Sequence, residues 1–183
     1  KQLAFYLDTS VCAKCKACQI ACQHKNNLPA HMRWRRVLPY EGGTWIPDPT
    51  STNLLRPSGV FSYSISVSCM HCQKPICAEV CPAGAIIKRD DGVVYIDQDR
   101  CIGCRYCEWA CPYGAVQFDE EAGTMSKCDF CRDLLAKGEN PACVDACVMR
   151  ALKFGDLEEL RAEFGDVAEI APLPPANLTN PSI

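Results

Sequence analysis

The sequence predicts an α+β fold in which short strands and short helices wrap around metal-binding loops, and three observations carry that prediction. Sixteen of the 183 residues are cysteine, and all of them fall into four closely spaced quartets. Short strand-forming runs lead directly into three of the quartets. The spacing of the first quartet recurs in the third, so part of the chain repeats another part. The rest of the composition, at 48% apolar residues, is that of an ordinary globular chain of one or two units. A balance of 19 Lys and Arg against 22 Asp and Glu gives a net charge of −3, which argues against nucleic acid or an acidic membrane surface as main partner. No apolar run approaches the roughly 18 residues of a spanning helix, and Lys1-Gln2-Leu3 does not open a signal peptide. The chain reads as soluble, so any membrane role is expected to come through a partner.

From the N-terminus, Ala4 to Leu7 reads as a strand feeding the first quartet, Cys12, Cys15, Cys18 and Cys22. The stretch from His24 to Ser68 then carries no cysteine. It holds Lys25, Arg33, Arg35, Arg36 and Arg56 against Glu41 and Asp48, a local +3 in an acidic chain, together with Trp34 and Trp45. Two readings stay open for it: a solvated loop packed over a metal site, or a docking surface, since Trp, Tyr and Arg anchor interfaces. Phe61, Tyr63, Ile65 and Val67 alternate with Ser62, Ser64, Ser66 and Ser68, a period-two strand that enters the second quartet, Cys69, Cys72, Cys77 and Cys81. The turn Asp90-Asp91-Gly92 and a strand over Val93 to Ile96 lead to the third, Cys101, Cys104, Cys107 and Cys111. The fourth is Cys128, Cys131, Cys143 and Cys147. Beyond Gly155, Asp156-Leu157-Glu158-Glu159 has the form of a capping box, Leu157, Leu160 and Phe164 share a helical face, and Gly165 suits its end. The proline-rich run from Ala171 to Pro181 cannot continue a helix and is expected to run extended, as a free tail or as an arm on a partner.

The quartets decide the chemistry. Disulfide frameworks spread their cysteines through loops without a fixed short period, and zinc takes its thiolates as two separated pairs. The first and third quartets instead read Cys-x2-Cys-x2-Cys-x3-Cys, the bacterial ferredoxin run, and Pro112 follows the third as that pattern asks. The second and fourth are variants with a longer internal loop. Four [4Fe-4S] clusters are therefore expected as cofactors, with all sixteen thiolates as ligands. His71, between Cys69 and Cys72, is expected to be a donor behind the ligands or simply exposed. The other histidines are His24 and His31, and no phosphate loop or nucleophile–base pattern accompanies them. No catalytic residue and no small-molecule substrate site are expected on this chain.

A shift of 89 residues lays Tyr6, Asp8, Cys12, Cys15, Cys18, Ala21 and Cys22 on Tyr95, Asp97, Cys101, Cys104, Cys107, Ala110 and Cys111. A second echo joins Cys81-Pro82-Ala83-Gly84-Ala85, Cys111-Pro112-Tyr113-Gly114-Ala115 and Cys147-Val148-Met149-Arg150-Ala151, each expected to turn a short helix into a strand. By the ferredoxin rule each quartet lends its fourth cysteine to a partner. Quartets two and three are close in sequence, Cys81 and Cys101 being separated by a single strand hairpin, and are expected to pair, which leaves one with four. The expected ligand sets are Cys12, Cys15, Cys18 with Cys147; Cys128, Cys131, Cys143 with Cys22; Cys69, Cys72, Cys77 with Cys111; and Cys101, Cys104, Cys107 with Cys81. Two ferredoxin-like two-cluster modules follow, an outer one over 1–23 and 112–155 and an inner one over 61–111. A loop insertion at 24–60 and a C-terminal helix and arm at 156–183 complete the organisation. With so little conventional core, the clusters must be part of it.

Four such quartets, Cys101-Ile102-Gly103-Cys104-Arg105-Tyr106-Cys107, Cys111-Pro112-Tyr113-Gly114-Ala115 and the Leu173-Pro174 tail together resemble the iron-sulfur subunits of the dimethyl sulfoxide reductase family. The resemblance covers essentially the whole chain. The dimethyl sulfoxide branch, as against polysulfide, thiosulfate or formate systems, rests on Glu41-Gly42-Gly43-Thr44-Trp45 and Ala171-Pro172-Leu173-Pro174. It implies a non-catalytic electron-transfer subunit placed between a molybdopterin catalytic subunit and an integral membrane anchor that oxidises a quinol. The cluster of the first three cysteines would face the molybdenum and that of Cys101, Cys104 and Cys107 the quinol. It further implies association with the membrane through a partner, at the periplasmic face, with the cytoplasmic face as the alternative. The alternative functions are an iron-sulfur subunit of another molybdoenzyme, of polysulfide, thiosulfate or formate type, and a free-standing polyferredoxin carrier.

Overall fold

The computed structural model describes residues 1–51 and 53–183. The chain opens with β1 (Leu3–Leu7) and α1 (Ala17–Lys25), then the long strands β2 (Arg36–Pro47) and β3 (Leu55–Val67). The second quartet carries α2 (Ile76–Glu79), followed by β4 (Ile86–Lys88) and β5 (Val94–Ile96). The third carries α3 (Tyr106–Ala110), followed by β6 (Gln117–Asp119) and β7 (Thr124–Ser126). Around the fourth lie α4 (Arg132–Leu135) and α5 (Ala142–Asp145), then β8 (Leu152–Asp156) and α6 (Leu157–Phe164).

The strands pair as antiparallel two-stranded sheets, β1 with β8, β2 with β3, β4 with β5 and β6 with β7. A lone two-strand ribbon is marginal in water, so each must be held by what packs on it. Leu3 lies opposite Asp156 and Leu7 opposite Leu152, so the strand before the first quartet is bound to the strand after the fourth. The helices α1 and α5 of the same two quartets pack together, as do α2 and α3 of the middle two. Each of three buried apolar clusters includes cysteines: Cys18 and Cys143 in one, Cys69 and Cys128 in the second, Cys77 and Cys107 in the third. The thiols thus occupy core positions, as the sparse apolar core required.

Two stretches differ from the sequence expectation. Within 24–60, expected as a loop, Arg36–Pro47 and the first half of β3 form a ribbon with a register slip between Gly42 and Thr44. Its outer half is exposed on both faces, so no buried side alternates with a polar one and the period-two signal is lost. At its base the serines Ser64 and Ser66 are buried as deeply as Ile65 and Val67, because both faces there meet the core. The C-terminal run is not a free tail. The backbone N–H groups of Gln73 and Lys74 donate to the carbonyls of Asn180 and Thr179 at 2.8 and 3.0 Å, and Ser182 N–H donates to Met70 at 3.0 Å. Thr179 and Ser182 are buried. The helix α6 begins and ends as expected, with Asp156 accepting from Glu158 N–H at 3.1 Å and Gly165 following its last turn.

Candidate metal centres

The cysteine loops share a backbone. The residue before the second cysteine of each quartet, Lys14, His71, Gly103 and Phe130, has φ of 57, 42, 67 and 65°. For a residue with a Cβ this left-handed region costs on the order of 1–2 kcal/mol, and it persists where surrounding interactions over-determine it. A second shared turn follows three quartets, where Gly84, Gly114 and Arg150 have φ of 57, 56 and 55°. Each donates its N–H to the carbonyl of the preceding fourth cysteine, at 3.2, 3.2 and 3.0 Å. That twist turns the next N–H toward the sulfur, and Ala85 and Ala115 donate to Sγ of Cys81 and Cys111 at 3.3 and 3.4 Å. The repeated Cys-Pro-x-Gly-Ala run therefore encodes a thiolate stabilised by a backbone dipole.

All sixteen cysteines are free thiols. Cys12, Cys15, Cys18 and Cys147 line one cavity. Cys69, Cys72, Cys77 and Cys111 line a second, with apolar walls. Cys22 is buried, which pushes its thiol up to about 12, and the neighbouring charges of Cys143 and Cys131 add to the shift. Cys128 is raised well above its ordinary value by burial and then by Cys22, Cys69 and Cys143. Burial also takes Cys107 to about 11, with Cys101, Cys104 and Cys81 contributing. Thiols so crowded and desolvated are poor acids on their own. A bound metal removes the penalty, since coordination deprotonates a thiol outright.

Among the described residues no three His, Cys, Asp or Glu side chains converge tightly enough to hold a single metal ion. The thiols of each cavity instead line a common space, and an all-sulfur donor set of this kind suits a polynuclear cluster. Two buried donors without a partner sharpen the fit. Arg35 Nη2 has none, and His71 Nδ1 accepts from Val94 N–H at 3.0 Å, so the proton of the neutral ring lies on Nε2, which is also unpartnered. His71 is fully buried, which removes the expectation that it is exposed. Its ring packs edge-on to Phe130.

Sequence reasoning missed Arg35, Ser66 and Lys127. Arg35 belongs to the basic stretch read as a surface, yet its guanidinium is buried over the Phe5 ring, 4.5 Å from the centroid. Its Nη1 donates to Ser66 Oγ at 3.1 Å, and that hydroxyl lies 3.4 Å from Cys18 Sγ. Lys127 lines the second cavity and donates to Cys69 Sγ at 3.4 Å. The one available signal was position, since Lys127 immediately precedes Cys128. Of the two tryptophans in the basic stretch, Trp34 is half-buried and donates to Ser126 Oγ at 2.9 Å, whereas Trp45 is 70% exposed.

Paired cysteine loops on a mixed α and β frame define an iron-sulfur protein of the ferredoxin type, and residues 60–157 match the family described as the 4Fe-4S dicluster domain. The sequence is 48% identical over 182 residues to a chain of the anaerobic dimethyl sulfoxide reductase of Escherichia coli, covering 100% of this chain and 87% of that one. It is 35% identical over 174 residues to a chain of the polysulfide reductase of Wolinella succinogenes, covering 94% and 85%. A putative dimethyl sulfoxide reductase iron-sulfur subunit of Halobacterium salinarum is 35% identical, over 84% of this chain and 65% of that one. This protein belongs to the iron-sulfur subunits of the dimethyl sulfoxide reductase family.

Proposed function

We propose that this chain is an electron relay holding four [4Fe-4S] clusters, in the ligand sets Cys12, Cys15, Cys18, Cys147; Cys22, Cys128, Cys131, Cys143; Cys69, Cys72, Cys77, Cys111; and Cys81, Cys101, Cys104, Cys107. The observation that carries it is the make-up of the two cavities, each combining three thiols of one quartet with the last of another. Each cluster, when bound, supplies a one-electron carrier. The chain's residues do the rest: thiolates ligate, N–H groups and cations stabilise negative charge, and apolar walls exclude water. Packing of α1 on α5 and of α2 on α3 supports an outer module over 1–23 and 112–155 and an inner one over 61–111.

Exposure supports an order. Cys15 is exposed and is flanked by exposed Val11, Ile20 and Val148; Cys101 and Cys104 are half-buried beside exposed Ile102, Tyr106 and Trp109. Those two ends fit contacts with a molybdopterin catalytic subunit and with a quinol-oxidising membrane anchor, respectively, in a dimethyl sulfoxide reductase-like complex. Among the described residues no helix is long and apolar enough to cross a membrane; attachment through the anchor, at the periplasmic face, is part of the proposal. Higher identity to the dimethyl sulfoxide reductase chain than to the polysulfide reductase chain favours the first substrate class. The test is anaerobic isolation from native membranes. It should yield both partners and about sixteen iron atoms per chain, with four one-electron signals in an EPR-monitored titration. Fewer clusters, or a chain that purifies alone, would overturn the reading.

A further inference from the structure

Two positive charges lie in the interior without a carboxylate to balance them. Arg35 is 2% and Lys127 3% exposed, and neither belongs to any ion pair among the described residues. An unpaired buried charge costs several kcal/mol. Carbonyl groups offset part of this: Lys127 donates to Val94 and, at 3.1 Å, to Cys128, and Arg35 Nη1 donates to Ser66 at 3.1 Å. The ionisable groups that can balance them are cysteine sulfurs, once ligation makes these thiolates. Burial works against the charged form of both side chains. For Lys127 the sulfurs of Cys69, Cys77 and Cys128 outweigh it, and for Arg35 those of Cys143, Cys128, Cys18 and Cys22 do, so both are held above their ordinary values.

The sulfurs fall in a definite order. Lys127 lines the cavity of Cys69 and Cys77 and donates to Cys69 Sγ at 3.4 Å, while its bond to the Cys128 carbonyl ties it to the next ligand set. Arg35 reaches Cys18 of the set beyond through Ser66 Oγ, and the Phe5 ring it covers packs in one buried cluster with Cys18 and with Cys143 of the middle set. We propose that Arg35 and Lys127 are shared electrostatic bridges, each fixing the potentials of the two clusters on either side of it. The inference rests on the four-cluster reading above and goes beyond it. A cation beside a cluster favours the reduced, more negative form. Each bridge therefore raises two potentials together, and the interior cluster of Cys22, Cys128, Cys131 and Cys143 is raised by both. Among the described residues the set of Cys81, Cys101, Cys104 and Cys107 has no buried cation of this kind; its neighbour Arg105 is exposed and paired with Glu108 at 2.7 Å.

The test is an EPR-monitored redox titration of the intact complex carrying Lys127→Met, Lys127→Arg or Arg35→Met. In Lys127→Met two midpoints should fall by about tenfold in the reduction equilibrium, about 59 mV for one electron, and the other two should stay. Lys127→Arg, which keeps the charge, should restore them. Arg35→Met should lower a different pair that shares one member with the first. Four intact clusters with unmoved midpoints in Lys127→Met, or equal shifts in the Arg and Met variants, would overturn the inference and leave the relay standing. If Lys127→Met loses iron, Lys127→Arg must keep it and Arg35→Met must still move its pair. Iron loss in the charge-keeping variant too would assign Lys127 a packing role and overturn the proposal. Fewer than four signals in the unsubstituted complex would instead sink the relay itself.

Discussion

The thiols of Cys22, Cys128, Cys131 and Cys143 are all buried, whereas of Cys81, Cys101, Cys104 and Cys107 only Cys107 is. Around the first of these proposed ligand sets lie the buried cations Arg35 and Lys127, which the proposal makes its charge compensation. Around the second the chain supplies apolar surface, with Ile102 and Trp109 68% and 74% exposed, and backbone dipoles, as in Met125 N–H to Cys101 Sγ at 3.4 Å. The contrast separates two jobs within one repeat. An interior site must neutralise what it buries. A site at the surface leaves part of that work, and its water exclusion, to a partner.

Several experiments break or sharpen this contrast. The largest effect is expected on removing iron, because thiols fill the core positions that apolar side chains would otherwise hold. Apo chain should lose cooperative unfolding, at a cost on the order of 10 kcal/mol, the scale of structural metal sites, and the interior region should lose hydrogen-exchange protection most. Retained protection there would show that side-chain packing alone holds the interior.

Next in size is Gly103→Ala. Gly103 has φ +67°, and a Cβ there would meet Gly123 O at 2.3 Å, so the substitution adds a clash with backbone to the roughly 1–2 kcal/mol of left-handed strain. Iron content of the surface site should fall. Gly84→Ala, with nothing nearer than Arg100 Nη2 at 3.7 Å, should cost only that strain, about 1–2 kcal/mol, and keep its cluster. Equal behaviour of the two variants in thermal melts would remove the steric account.

Trp109→Ala should leave every cluster in place yet weaken assembly with the membrane partner by about tenfold or more, the scale of an interface anchor. Trp45→Ala at the ribbon tip serves as its control. A wild-type yield of membrane-bound Trp109→Ala complex would place the contact elsewhere. The smallest effect is expected from Lys14→Gln beside the first set. Lys14 is exposed and already paired with Glu41 at 3.0 Å, so the potential should fall by much less than in Lys127→Met, and high salt should erase the difference. A shift as large as that of Lys127→Met would show that exposed charge matters as much as buried charge.

Much of this was legible in the sequence, and the reason is the repeat. The cysteine spacings fix the loops, and the strands before the quartets and the α6 capping signal lie where local pattern put them. The charge bridges were not legible. Arg35 is one of five basic residues in a cysteine-free stretch, and nothing in its neighbours says that the bend before β2 turns it inward over Phe5 and Ser66. The ribbon of β2 and β3 escaped for a related reason, since its outer half has no buried face to impose alternation. The close of the chain reads as proline-rich and free because the groups that hold it, Met70, Gln73 and Lys74, lie more than a hundred residues away and act through their backbones.

The measurement that tests the central claim most directly is which EPR signal changes in Cys22→Ser. If fourth cysteines cross between quartets, Cys22→Ser perturbs the same signal as Cys131→Ser and leaves intact the one lost in Cys15→Ser. If Cys22→Ser instead removes the signal that Cys15→Ser removes, each quartet closes on itself, and both the interior set and its charge bridges are wrong.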